Sequence, residues 1–127
     1  MEEYFVTYEQ ALALKELGFD EPCFRYVYIG DTGNNVDHIE EVKFKFSANY
    51  NADSLCISIP LKSQVFKWFR EKYNLFHCIE PHFSGGFNIY IEGIKNEEPY
   101  RIVYKTYNFA ESECIDKLIS IIKEKKS

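Results

Sequence analysis

No stretch of this chain approaches the ~20 consecutive apolar residues that a membrane-spanning helix needs, so we expect no membrane partner. The opening residues, Met1-Glu2-Glu3-Tyr4-Phe5, are acidic and lead into no apolar segment of the signal-peptide kind. These two absences point to a cytoplasmic protein. Its four cysteines, Cys23, Cys56, Cys78 and Cys114, would then be reduced thiols in apolar surroundings. The cysteines also lack the paired short spacing on which zinc sites are built. His77, Cys78 and His82, even with Cys23 added, make one irregular group without a second pair, so a strand-end His and a buried Cys are the expectation, and no metal.

Positive charge is in deficit: 15 Lys and Arg against 20 Asp and Glu leave a net charge of −5. That balance argues against broad contact with a polyphosphate backbone and makes nucleic acid the less favoured partner. The one basic run, Lys123-Glu124-Lys125-Lys126, reads as a helix end favoured by its dipole. Catalytic patterns are missing as well. Gly30-Asp31-Thr32-Gly33-Asn34 lacks the lysine and the glycine spacing of phosphate-binding loops, and reads as a turn. The neighbouring carboxylates Glu40-Glu41 and Glu97-Glu98 fall in polar segments and read as solvated surface. Cys78 beside His77 would point to the opposite strand face, out of reach of its base. A pocket gathering His77, Glu80 and His82 is the one enzymatic arrangement to name, and no motif supports it. We therefore expect no enzyme and no cofactor.

What is abundant is aromatic: eleven Phe, ten Tyr and one Trp, 17% of 127 residues, within a 46% hydrophobic chain. Such a composition folds, and the length fits a single domain over residues 1–127. So many rings exceed what one small core buries, which leaves some Tyr with a packed ring and a wet hydroxyl.

Thr7 with Gln10 three residues on makes a capping box for a first helix, striped by Tyr8, Ala11, Leu12, Leu14 and Leu17 and ended at Gly18. Strands are expected over Phe24–Ile29, Val42–Phe46 and Leu55–Ile59, by their alternation or their short apolar run between turn signals. Pro60 opens an amphipathic helix through Tyr73 whose Leu61, Val65, Trp68, Phe69 and Tyr73 face inward. Further strands follow over Leu75–Ile79, Phe87–Ile91 and Tyr100–Lys105, with Pro81-His82-Phe83-Ser84-Gly85-Gly86 as a turn. A last helix runs from Ala110 or Glu111 to Lys125, with Cys114 or Ile115, Leu118, Ile119 and Ile122 inside. The order α-β-β-β-α-β-β-β-α with short connections predicts an α+β fold: a single antiparallel sheet of about five to six strands with three helices on one face.

Two stretches, Tyr4 to Cys23 and Ile57 to Tyr73, together resemble a family of small uncharacterised proteins of gut Bacteroidota, Bacteroides among them, and of their temperate phages and prophages. The resemblance implies a source and carries no activity, cofactor or catalytic residue. The expected function is a small cytoplasmic protein-interaction module of phage or prophage origin, binding a protein partner or itself. The alternative is a nucleic-acid-associated accessory protein using Tyr100, Arg101, Tyr104 and Lys105 with Lys43 and Lys45 as a stacking surface. On a strand those rings and cations fall on opposite faces, so rings turned to the core compete with that reading. The residues singled out for contact are Arg70, Tyr73, Tyr100 and Tyr104, with Trp68 assigned to the core.

Overall fold

The computed structural model describes residues 2–29, 39–41, 48–93 and 102–126. It divides into two compact units, Met1–Gln64 and Val65–Ser127.

In the first unit, helix α1 spans Tyr8–Leu17. Thr7 Oγ1 accepts the Gln10 N–H at 3.1 Å, and Gln10 Oε1 accepts the Thr7 N–H at 3.0 Å. This reciprocal cap satisfies two N–H groups that a helix start otherwise leaves open. Gly18 ends the helix at φ 94°, a left-handed turn that a side chain would resist. Ala11, Leu14 and Leu17 are buried, whereas Leu12, set a hundred degrees off that stripe, is 38% exposed.

Strand β1, Arg25–Tyr28, is the centre of a three-stranded antiparallel sheet, between β2 (Ile39–Glu41) and β3 (Cys56–Ser58). Val27 pairs with Ile39 on one side and Ile57 on the other. The face turned inward is that of Arg25 and Val27. The aromatic face looks out, with Tyr26 stacked on Tyr50 at 4.1 Å and 15° and Tyr28 exposed. Arg25 is buried with its guanidinium 3.8 Å above the Phe5 ring, a cation over a π face. Two polar side chains tie the connections together. Lys15 Nζ donates to the carbonyls of Asp53 (2.9 Å) and Cys56 (2.5 Å). Asn51 donates to Phe19 O and accepts from Ser58 N, each at 2.9 Å.

Helix α2, Lys62–Tyr73, contains the boundary between the units. Its first turn is fastened within unit one, where Gln64 accepts the Leu61 N–H and donates to Pro22 O. In the second unit, Val65, Phe66, Trp68 and Phe69 of α2 are buried. Rings pack edge to face: Trp68 on Phe69 at 5.1 Å and on Tyr73 at 5.4 Å. Strands β4 (Phe76–Pro81) and β5 (Phe87–Glu92) form a two-stranded hairpin in continuous register, Phe76 opposite Glu92 through Pro81 opposite Phe87. Helix α3, Tyr107–Lys126, lies on this hairpin and buries Ala110, Cys114, Ile115, Leu118, Ile119 and Ile122. It begins three residues before Ala110 because Thr106 Oγ1 accepts the Phe109 N–H at 3.1 Å.

The expected single sheet of five to six strands is therefore corrected to an α+β fold with, among the described residues, two separate antiparallel sheets. Alternation in a strand states which face is buried and is silent on which strand it pairs with. Among the described residues β4 pairs with β5 alone, and β5 adds only the isolated bridge of Phe87 to Tyr104. The expected strand over Tyr100–Lys105 is represented, among the described residues, by Tyr104 alone, which bridges Phe87. The expected strand Val42–Phe46 lies outside the described residues, as does Tyr100. Among the described residues no helix is long and apolar enough to cross a membrane.

Candidate functional site

The turn end of the β4–β5 hairpin carries the most exposed large apolar side chain among the described residues. Phe83, in the middle of the turn, is 98% exposed. The segment after it returns to the same end: Tyr104 N and O exchange hydrogen bonds of 2.8 Å with Phe87 O and N. That bridge carries a cluster of rings. Tyr107 packs edge-on against Phe87 at 5.5 Å, and Phe109 leans on Tyr104 at 5.7 Å. Tyr104 is buried by these neighbours, while Ile102, Val103, Tyr107 and Phe109 remain open to solvent. With each aromatic side chain covering ~150–250 Å², the exposed parts of Phe83, Tyr107 and Phe109 amount to roughly 300–500 Å². Apolar surface of that order left open on a monomer commonly marks a contact site. The neighbouring charge is sparse and mixed, with Lys105 exposed in the approach to α3 and Glu111 and Glu113 half-buried within its first two turns.

The turn is built to project Phe83. Gly85 and Gly86 take φ of 95° and 81°. His82 N–H donates to Gly86 O and Gly85 N–H to His82 O, both at 2.9 Å. The His82 ring stacks on Phe83 at 4.5 Å.

The contact residues expected from the sequence are dispersed. Tyr104 belongs to this end, yet its ring is inside the cluster and offers no stacking face. Arg70 and Tyr73 sit one turn apart on α2, and no described hydrogen bond, ion pair or ring contact joins either to Tyr104. Tyr73 packs its ring on Trp68 and Phe69, and its hydroxyl is buried without a hydrogen-bond partner among the described residues. Tyr100 is outside the described residues. Phe83, Ile102, Val103, Tyr107 and Phe109 were not singled out by sequence reasoning. One signal was present: a phenylalanine within a turn whose other positions carry turn residues.

The remaining reactive side chains have structural surroundings. His77 stacks face to face on Phe66, 3.6 Å between centroids at 8°. Its Nδ1 is buried with no hydrogen-bond partner among the described residues. Burial, reinforced by the Arg70 charge, holds its pKa below the usual histidine value of 6.5. The folded chain therefore binds fewer protons than the unfolded chain. The stability from neutral His77 is complete above pH 6.5 and is lost as pH falls from there towards its lowered value. His77→Phe should flatten urea midpoints between pH 7.5 and 5; an unaltered acid slope would exonerate His77.

Cys78 directs its thiol at Glu80 Oε1, 3.6 Å away, and burial first, then Glu80, raises its pKa. Burial pushes the Cys23 and Cys114 thiols up to about 12, which leaves them protonated and inert near neutrality. Among the described residues no group of three His, Cys, Asp or Glu side chains stands together as metal ligands. Comparison of the chain with protein-family models, with curated proteins and with solved structures finds no match.

Proposed function

We propose that this chain is a small protein-interaction module whose docking surface is the turn end of the β4–β5 hairpin. The observation that carries this reading is Phe83, 98% exposed on a turn locked by its own hydrogen bonds. Leaving a phenyl ring in water forgoes ~1.5–3 kcal/mol of burial, and a rigid turn recovers it when a partner covers the ring. The occupant we favour is a folded partner protein with an apolar cleft that admits an aromatic side chain, flanked by surface for Ile102, Tyr107 and Phe109. A second copy of the chain fits less well. Two projecting tips do not complement each other as a projecting ring and a cleft do. Rigid, well-exposed aromatics are also the side chains that anchor interfaces most often. We propose in addition a source in gut Bacteroidota or their phages, as the resemblance of residues 4–23 and 57–73 implies.

The test is paired affinity capture from lysate, nuclease-treated, with the tagged wild-type chain and its Phe83→Ser variant. One dominant protein should be recovered by wild type and reduced at least tenfold by Phe83→Ser, whose melting temperature should match wild type because Phe83 supports little of the fold. Equal recovery by both proteins would reject this surface. Dimer in solution that dissociates on Phe83→Ser would replace the foreign partner by a second copy. Capture abolished by nuclease would reject protein docking in favour of nucleic acid.

A further inference from the structure

The turn that carries Phe83 is fastened by an imidazole. His82 Nδ1 accepts the Ser84 N–H at 3.2 Å and lies 2.6 Å from Ser84 Oγ. A backbone N–H can only donate, so Nδ1 is unprotonated while that bond stands, and the neutral ring carries its proton on Nε2. Resting on the reading of this end as a docking surface, we propose that His82 is a proton-sensitive latch: neutral, it fixes the turn that presents Phe83; protonated, it releases the turn and with it the partner. The protonated ring has a donor at Nδ1 where the Ser84 N–H needs an acceptor. It can turn instead to Ser84 Oγ, 2.6 Å away, which releases the amide to solvent. Because the ring also stacks on Phe83, a change of its tilt moves the anchor itself. Imidazole is the side chain whose charge commonly changes between pH 5 and 8.

The charged and titratable groups about the turn leave this switch unopposed. On β4, Glu80 faces the Cys78 thiol, and His77 is stacked on Phe66. On β5, the residues opposite Glu80 and Pro81 are the uncharged Asn88 and Phe87. On the returning segment, Tyr104 titrates only in alkali, its pKa raised by burial and then by Glu113, and Lys105 follows it. Among the described residues none of these forms an ion pair with the His82 ring, and no described carboxylate is placed to hold a charged ring.

Asparagine provides a discriminating substitution. Its side-chain carbonyl accepts the N–H two residues on, as in an Asx turn, and does not titrate. The experiment follows the Ser84 amide and the Phe83 ring by NMR in the full chain from pH 7.5 to 5.0, for wild type, His82→Asn and His82→Ala. In wild type the Ser84 amide should shift and exchange faster with solvent along the same curve as the His82 ring protons, and the Phe83 ring should move with it. His82→Asn should abolish that dependence, and His82→Ala should show the released turn at every pH. Capture by wild type should fall about fivefold as the His82 ring protons titrate, the scale of one neutral hydrogen bond, and stay level for His82→Asn. A Ser84 amide that ignores the titration of His82 would overturn the latch even where capture succeeds. Capture indifferent to Phe83→Ser would overturn the docking surface while leaving the Ser84 titration in place.

Discussion

Trp68→Ala should lower stability by ~3–5 kcal/mol, the cost of truncating a large buried ring. Trp68 is 3% exposed and holds two edge-to-face contacts, on Phe69 and Tyr73, that alanine cannot replace. Lys72 Nζ also lies 5.1 Å from the Trp68 ring centroid and loses that partner. The cavity would open among rings, which are too stiff to collapse into it, so the loss should fall in the upper part of the range. Since Trp68 is the sole tryptophan, unfolding is followed by circular dichroism in urea rather than by indole fluorescence. An unchanged midpoint would mean that α2 does not bury this face.

Gly86→Ala should be the most damaging single change at the candidate site. At φ 81° an alanine is strained by ~1–3 kcal/mol. Its Cβ would also stand 2.5 Å from Tyr104 O and 2.8 Å from Val103 Cγ1. The Tyr104 carbonyl cannot retreat cheaply, because it accepts the Phe87 N–H at 2.8 Å. The expected result is loss of the Phe87–Tyr104 bridge, a lowered melting temperature and loss of partner capture together. Gly85 provides the control: it has φ 95°, yet a Cβ there meets nothing within 4 Å. Gly85→Ala should show the backbone strain alone. Equal losses at the two positions would mean that the close approach to Tyr104 contributes nothing.

Acid sensitivity through His77 and the latch at His82 involve one strand and its turn, but they read out differently. Protonating His77 lowers the stability of the folded state, because its surroundings are apolar and Arg70 repels the charge. Protonating His82 alters one half-exposed turn and should leave the melting temperature of the unit almost unchanged. Stability and Ser84 amide titrations on the same sample therefore separate the two.

Local signals along the chain determined a good deal. The Thr7–Gln10 cap, the Gly18 terminus and the stripes Ala11, Leu14, Leu17 and Leu118, Ile119, Ile122 depend on contacts three to four residues apart, and they stand where the sequence placed them. The strands expected over Phe24–Ile29, Leu55–Ile59, Leu75–Ile79 and Phe87–Ile91 are present as Arg25–Tyr28, Cys56–Ser58, Phe76–Pro81 and Phe87–Glu92, with Pro81, expected in the turn, paired instead with Phe87. Trp68 is in the core because its helical spacing with Val65 and Phe69 leaves it nowhere else. What only the tertiary structure decided was pairing and exposure. Period-two alternation is satisfied equally by one sheet or two, so the separation of β1–β3 from β4–β5 had no local signature. The outward face of β1 is the aromatic one because Arg25 finds the Phe5 ring inside, an encounter across twenty residues of chain. Tyr104 is buried and Phe83 bare for the same kind of reason. Both side chains are aromatic, and the difference is whether Phe109, on a helix that starts early, and the backbone bridge to Phe87 bring the ring under cover.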